Sequence, residues 1–436
     1  MSSGHEGYSS ATTSMFGTGE IQKTSRLGGP EAWTIWILAT LFVVWLFAIQ
    51  TGYGIVSPEI QESANLSIAE IGLAASIYAW VFAGVQFFSG SLLDRFGTRP
   101  LLWIAVALVT AGAFLYAATT NFATLILAQI VLAIGSSFGF VGAGYVGGKW
   151  FVAARYGLMF GLVQMFASLG SAVSQPAISA LLDEMSWQAV LGGFGAFGVL
   201  LTLGVMFIVR NPIQTPQEIA AQRAARAESH LFRDILHDLG ACFRNPRIML
   251  SAVFAGASFG TILAIGVLWG PRVQMARGAP DDFAATLSAL MWLGVAVGAP
   301  LVNVVSNRWQ SRRWPAVWGM ALQTLAVILF LYAPWTSMGA TAVVMLAVGV
   351  FGGTHMLGFT IAGESASRHL IGSAAAIVNG VCFIIAGALQ AIPGRLLPES
   401  PDLADYQSAL WVLPAVLVAG LLVTLLLRDK TQAVVN

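Results

Sequence analysis

The sequence predicts an all-α membrane protein with twelve transmembrane helices, arranged as two repeated halves of six helices. Of its 436 residues, 57% are hydrophobic and only 9% are charged, whereas an average soluble domain is about 25% charged. Twelve apolar stretches follow one another, each close to the length needed to cross the roughly 30 Å hydrocarbon layer of a bilayer. A longer polar segment after the sixth stretch divides the series in two.

The order of polar and apolar segments sets the expected boundaries. We place the helices of the first half at roughly 33–57, 70–93, 100–118, 121–148, 155–181 and 187–209. Those of the second half are at roughly 249–270, 283–305, 315–333, 337–362, 371–393 and 407–427. The chain therefore divides into a tail at 1–32, a bundle at 33–210, a linker at 211–247, a second bundle at 248–428 and a tail at 429–436.

The positions of Lys and Arg predict the orientation. If the N-terminus is cytoplasmic, all but three of the 21 Lys and Arg residues lie in cytoplasmic segments, and Arg272, Arg277 and Arg395 lie outside. Cytoplasmic loops carry an excess of these residues, and one miscounted helix would destroy the asymmetry. We expect a multi-pass protein of the bacterial inner membrane with both termini in the cytoplasm.

Composition also excludes several function classes. A net charge of +1 without a basic patch argues against a nucleic-acid partner. Cys242 and Cys382 are too far apart in sequence to suggest a disulfide framework, and no His, Cys or carboxylate spacing predicts a metal site. No phosphate-binding GxxxxGK[ST] loop is present, so ATP is not the expected energy source. We expect neither a cofactor nor a catalytic site, and hence not an enzyme.

Two segments of the first half recur in the second. The loop after the second helix, GSLLDRFGTR at 90–99, is echoed 213 residues later by NVVSNRWQSR at 303–312. Gly157, Gln164 and Gln175 of the fifth helix align at an offset of 215 with residues of the eleventh, namely Gly372, Asn379 and Gln390. Parallel six-helix repeats joined by a linker are typical of transporters whose two halves rock against each other.

The repeated loop is a candidate cytoplasmic gate. Asp94 lies at the C-terminal end of a helix, where the helix dipole disfavours a carboxylate unless it meets a partner. A partner in the other half would bind it only when the cytoplasmic side is closed. The alternative is ordinary anchoring by positive charge. The gate motif comprises Gly90, Asp94, Arg95, Gly97, Arg99, Asn307, Arg308 and Arg312.

GSLLDRFGTR, with its weaker echo, resembles the signature loop of the major facilitator superfamily, and the resemblance extends over the whole chain. It implies the major facilitator fold, with two pseudo-symmetric six-helix bundles, and transport by alternating access. The family has an acidic residue at the position of Asn307, which puts a second charged gate contact, in the second half, in doubt. FGFVGAGYVGGKWFVAARYG at 138–157 is similar to the oxalate/formate and monocarboxylate transporters and to the phagosomal nutrient transporters.

The fifth helix partly resembles the antiporter motif of the superfamily. Gly161 and Gly170 have its spacing, but Ser174 and Gln175 replace its Gly and Pro. This departure argues against a drug antiporter.

In this fold the substrate cavity lies near the midplane between the halves, so polar or aromatic side chains inside the helices are the candidates. They are Trp45, Gln50, Tyr53, Gln164, Gln175, Arg272, Trp292, His355, Asn379 and Gln390. Each has an alternative role. His355 either handles substrate or a proton, or is satisfied structurally by its neighbours. The amides either bind substrate or join helices. Arg272 either attracts an anion or anchors its helix at the interface, and each Trp is either cavity wall or interfacial belt.

The expected function is secondary active or facilitative transport of a small polar organic solute, namely an organic anion, an amino acid or a nucleoside. The alternative is import or export of a siderophore or drug. A membrane receptor without transport activity is a remote third reading, since no loop is long enough to hold a soluble module. The expected partners are the small-molecule substrate, the lipid bilayer and a coupling proton or exchanged anion, for a chain expected to be monomeric.

Overall fold

The computed structural model describes residues 27–152, 156–211, 231–334, 337–367 and 370–429. Within these ranges, twelve helices are long and apolar enough to cross a membrane, which confirms the predicted number. The first six are α1 (Pro30–Ser63), α2 (Ile68–Phe96), α3 (Thr98–Ala117), α4 (Phe122–Trp150), α5 (Tyr156–Leu182) and α6 (Trp187–Ile208).

The second half repeats this order after a short amphipathic linker helix at Leu231–Phe243. Its helices are α7 (Pro246–Ala276), α8 (Asp281–Arg308), α9 (Arg313–Tyr332), α10 (Met338–Ser365), α11 (Ile371–Leu396) and α12 (Leu403–Leu426). With twelve spans, α1 begins and α12 ends on the same side of the bundle. We call this the terminal side and the other the opposite side.

Local sequence fixes where several helices begin. A capping box closes the first turn of α2, where the Ser67 hydroxyl accepts from the Glu70 backbone and the Glu70 carboxylate accepts from the Ser67 backbone. Asn121 and Thr124 form the same arrangement at α4. Pro30 begins α1 and Pro246 begins α7, where their missing N–H groups need no partner. These signals lie in the polar loops that separate the apolar stretches.

Three spans near the centre of the molecule are interrupted. Helix α4 breaks after Ser136 and resumes at Gly139, and α10 changes to a single 3-10 turn at Gly353–His355. These breaks are 215 residues apart, the offset of the sequence repeat. Helix α7 contains a π-helical turn at Ile265–Trp269, a distortion found frequently at functional sites.

The two halves pack through α2 against α11, α5 against α8, and α1 against α7. Glycine permits the closest approaches. A Cβ added at Gly54 of α1 would lie 2.6 Å from the Val267 carbonyl oxygen of α7, and one at Gly72 of α2 would lie 2.7 Å from the Gln390 carbonyl oxygen of α11. Backbones this close exclude side chains between the helices.

Hydrogen bonds recorded between described residues of the two halves lie in the middle and opposite part of the bundle. The Ser76 hydroxyl donates to the Gly387 carbonyl at 2.7 Å, and the Trp80 indole donates to the Ile384 carbonyl at 3.1 Å. Trp269 and Leu389 add a similar bond within the second half at the same level. The described part of the chain is therefore closed on the opposite side.

Candidate functional site

A cavity lies between the two halves near the middle of the bundle, with about 450 Å³ of empty space, part of it open to solvent. Both halves contribute to its wall. The lining residues are Phe47, Phe82, Phe140, Gln164, Phe259, His355, Met356, Phe359, Asn379 and Phe383. The structure thus brings together three of the sequence candidates, Gln164, His355 and Asn379.

His355 sits where the 3-10 turn interrupts α10. Its Nδ1 lies 2.8 Å from the Gly352 carbonyl oxygen, so this nitrogen must carry the hydrogen that is donated. The ring stacks on Phe259 with centroids 4.4 Å apart. Backbone and aromatic contacts therefore fix the imidazole, which leaves Nε2 as the nitrogen that is free to engage a ligand in the cavity.

Gln164 of α5 and Asn379 of α11 face the cavity from opposite halves. The Gln164 Nε2 donates to the Ser168 hydroxyl, one turn along the same helix, at 3.2 Å. Asn379 is half-buried, and within the described residues no hydrogen bond to its amide is recorded. Its amide can both donate to and accept from a ligand.

Aromatic rings make up most of the remaining wall. Phe82 of α2 stacks on Phe383 of α11 across the boundary between the halves, with centroids 4.1 Å apart. Phe140 lies 215 residues before His355, so the repeat places a phenylalanine and a histidine at matching breaks. The sequence reasoning missed these phenylalanines, because an apolar side chain in an apolar helix gives no individual signal.

A second pocket of about 390 Å³ lies mainly within the first half. It is lined by three sequence candidates, Gln50, Tyr53 and Gln390. Gln390 and Val267 come from the second half. The Tyr53 hydroxyl donates to the Ile71 carbonyl at 2.8 Å. Polar residues that the sequence reasoning did not single out complete this tyrosine pocket, and they are Tyr78, Tyr116, Gln129 and Ser136.

The structure places Gln175 and Gln390 against backbone near the π turn of α7. The buried Gln175 Nε2 donates to the Thr51 carbonyl of α1 at 2.9 Å and to the Gly266 carbonyl of α7 at 2.8 Å. The Gln390 Nε2 lies 3.5 Å from the Leu263 carbonyl oxygen. Gln175 thus joins both halves on the side where they are closed.

Arg272 also joins the halves. Its guanidinium donates to the Gln61 Oε1 at 3.0 Å and to the Ser57 hydroxyl at 3.1 Å, both on α1. The side chain is buried, with a residue exposure of 7%. In this conformation Arg272 lies in the closed contact rather than in the central cavity.

The two tryptophan candidates lie outside the lining of the central cavity. Trp45 is buried inside the first half, where its indole donates to the Phe194 carbonyl at 3.2 Å. Trp292 of α8 is fully buried and meets Phe47 edge to face, with centroids 6.4 Å apart. Trp292 therefore supports a cavity wall from behind.

The structure describes fewer side chains of the gate motif in the first half than in the second. The side chains of Asp94 and Arg95 lie outside the described residues, and a Cβ added at Gly90 would meet open space. Gly97 has a φ of +81°, and the Arg99 backbone N–H donates to the Asn211 Oδ1 at 3.1 Å.

In the second half, Arg312 is the centre of a polar network. Its guanidinium bonds the Asn307 side chain at 2.7 Å and forms an ion pair with Glu364 of α10 at 2.8 Å. Arg308 ends α8 and is exposed. The repeated loop of the second half therefore connects α8 and α9 to α10 within that half.

Comparisons with known proteins agree with this architecture. The sequence model of the Major Facilitator Superfamily matches residues 33–391. The chain belongs to the Major Facilitator Superfamily. As a member of that superfamily it is a membrane transporter and not an enzyme.

Two relatives in this superfamily have names that concern organic acids. The probable L-galactonate transporter of Escherichia coli K12 is 25% identical over 93% of this chain and 90% of its own. The probable sulfoacetate transporter of Cupriavidus necator is 24% identical over 72% of this chain and 76% of its own.

Among solved structures, the fold is similar to a bacterial homologue of the human lysosomal transporter Spinster, in an inward-facing and unoccupied conformation. The TM-score is 0.66 at 17% identity, over 91% of this chain and 95% of the other. This likeness concerns the fold alone.

Proposed function

We propose that this transporter moves a small organic anion across the bacterial inner membrane by alternating access. The observation that carries the proposal is the central cavity, where Gln164, His355 and Asn379 from both halves meet among aromatic rings. A ligand held by both halves can couple its binding to their relative motion. Relatives named for L-galactonate and sulfoacetate support the anionic class.

We place both termini in the cytoplasm, because all but three Lys and Arg residues then lie on the cytoplasmic side. With that orientation, the contacts of Arg272 and Gln175 close the periplasmic side. The described conformation is then inward-facing.

His355 is our candidate for the coupling proton. Its Nδ1 is engaged by the Gly352 carbonyl, so Nε2 is the position that would take a proton and then donate to an anionic ligand. Proton and anion would cross as a neutral pair, which lowers the cost of carrying charge through an apolar core.

The lining of the cavity favours a small organic anion over a siderophore. Among its described lining residues only Gln164, His355 and Asn379 are polar, which leaves few hydrogen-bond partners for a chelator rich in oxygen.

The test is counterflow in proteoliposomes that contain the purified full-length protein, with organic anions as radiolabelled probes. We expect accumulation of at least one anion, and a loss of at least about tenfold in rate for Asn379→Ala. Gln407→Ala, whose amide donates to the Leu331 carbonyl outside both pockets, is the matched control. Accumulation of amino acids or nucleosides in place of every anion would overturn the proposal.

A further inference from the structure

The central cavity combines a small polar region with an extended aromatic wall. Three lining side chains are polar, and two of them already use one group internally. The Gln164 Nε2 donates to Ser168, and the His355 Nδ1 is bonded to Gly352. What remains to donate to a ligand is the Asn379 amide NH2, the second hydrogen of the Gln164 Nε2, and the His355 Nε2 once it is protonated, whereas the Gln164 Oε1 can only accept. These three donors are sufficient for one carboxylate end.

A sugar acid would be poorly matched here. L-galactonate, named for one relative, carries a hydroxyl on nearly every carbon. Each hydroxyl that is buried against phenylalanine without a partner lowers affinity by roughly tenfold. A second carboxylate would be costlier, because no charged side chain is among the described lining residues.

A ligand with a flat apolar body would instead pack against the phenylalanines that line the cavity. Phe82 and Phe383 stack at 4.1 Å across the two halves, and Phe259 stacks on the His355 ring at 4.4 Å. Aromatic rings favour offset or edge-to-face neighbours at such distances. Phe140 and Phe359 extend the same wall on α4 and α10.

We propose that the cavity selects a monocarboxylate with an aromatic or similarly flat apolar body, and discriminates against polyhydroxylated sugar acids and dicarboxylates. This inference rests on the proposed transport of an organic anion through this cavity. The carboxylate lies near Asn379 and His355, and the apolar body lies against phenylalanines of both halves.

The test is ligand-induced thermal stabilisation of the purified full-length protein, because a ligand that binds only the folded state raises the melting temperature with concentration. The probes are benzoate, L-galactonate and D-glucarate. We expect benzoate to bind at least about tenfold more tightly than either sugar acid. Asn379→Ala should weaken benzoate binding by about tenfold, with Asn379→Ser as a second variant if the first does not fold.

The same titration on Gln129→Leu locates the ligand. If this variant loses benzoate binding while Asn379→Ala does not, the ligand occupies the tyrosine pocket and the inference is wrong. Equal or tighter binding of L-galactonate or D-glucarate also overturns it, yet leaves transport of an organic anion intact. Failure of counterflow with every anion, benzoate included, is instead the failure of the proposed function.

Discussion

His355 illustrates how a single residue links chain conformation to a proposed role. The histidine lies where α10 changes to a 3-10 turn, and this break turns its ring onto Phe259 at the cavity. The Gly352 carbonyl fixes which nitrogen faces the ligand. The sequence located His355 as a midmembrane titratable group, but the orientation of its ring depends on a helix distortion that the apolar pattern does not encode.

We predict that His355→Gln abolishes uptake driven by a pH gradient and leaves counterflow exchange in place. Glutamine can hydrogen-bond a ligand but cannot carry a proton. Initial rates in proteoliposomes measure the two activities, driven uptake with an imposed pH gradient and counterflow exchange without one. His237→Gln, on the exposed linker helix, is the control. Persistence of driven uptake in the His355 variant would remove this histidine from the coupling step.

Asp429 stabilises the start of α9 from just beyond α12. Its carboxylate accepts from the Ser311 hydroxyl at 2.6 Å and from the Arg312 and Arg313 backbone N–H groups at 2.7 and 3.0 Å. Partial burial alone would raise the pKa of Asp429, but these hydrogen bonds from Ser311, Arg313 and Arg312 outweigh it and hold the pKa below its ordinary value. A carboxylate whose pKa is lower in the folded state adds to the free energy of unfolding at pH values above the ordinary Asp pKa. This stabilisation is lost as the pH falls through the lowered pKa of Asp429.

We predict that Asp429→Ala lowers the melting temperature at pH 7 by about 1–2 °C, corresponding to a cap of about 1 kcal/mol. Asp429→Asn should retain part of the cap, because Asn211 performs the equivalent role for Arg99 in the first half. Fluorescence-detected thermal unfolding in detergent measures both, and Arg428→Ala controls for the loss of a neighbouring side chain. Identical melting curves for wild type and Asp429→Ala would refute the capping role.

Among the cavity residues, polar pairs were predictable and the aromatic wall was not. Gln164 and Asn379 stand out because amides are rare in apolar helices and these two match in the repeat. Phe82 and Phe383 give no such signal, since 26 phenylalanines are spread over the chain. Only helix packing decides which of them face the cavity and which face lipid.

At the level of helices, the apolar pattern predicts that a span exists but not where it bends. Helix α7 was expected to end near residue 270 and continues to Ala276, because the π turn carries the helix through Gly270 and Pro271. The linker at 211–247 contains a helix, Leu231–Phe243, that contacts α11, α7 and α2. The amphipathic pattern of this linker helix can be recognised in the sequence, but the helices that it packs against cannot.

Arg272 and α1 form a contact that holds the two halves together on the opposite side. We predict that Arg272→Ala increases the population open on that side, because hydrogen bonds to a charged group contribute about 1.5–3 kcal/mol. The reporter is Ser179→Cys, which lines a pocket on that side and is 5% exposed, in a background with Cys242→Ala and Cys382→Ala.

Labelling with a membrane-impermeant maleimide should be about tenfold faster in the Arg272 variant. Arg395→Ala removes an exposed arginine from the same side and should leave the rate unchanged. An unchanged rate in the Arg272 variant would show that the glycine-mediated backbone contacts are sufficient for closure.

For the whole molecule, the repeat in sequence anticipates the pseudo-symmetry of the fold, down to matching breaks in α4 and α10. The conformational state was not predictable. Two conformations of a transporter differ by only a few kcal/mol, so small differences between many contacts decide which one dominates. Asp94 remains a predicted gate residue, since its side chain lies outside the described part of the chain.

We predict that Asp94→Asn shifts the molecule further toward opening on the terminal side, because the proposed latch needs the carboxylate charge. Spin labels at Val152→Cys and Trp309→Cys, exposed positions after α4 and α8, report the distance between halves by pulsed electron paramagnetic resonance. The long-distance fraction should grow in the variant. Asp183→Asn on the opposite side is the control, and identical distance distributions would contradict the gate.

The tyrosine pocket has a thermodynamic consequence for this equilibrium. The Tyr116 hydroxyl, the Gln129 Nε2 and the Gln390 Oε1 are buried without a hydrogen-bond partner among the described residues. Val267 and Gln390 belong to the second half and cover the pocket, so rocking the halves apart would expose these atoms to water. Opening on the opposite side is thus a hydration step, and osmotic stress from an excluded solute would favour the closed arrangement.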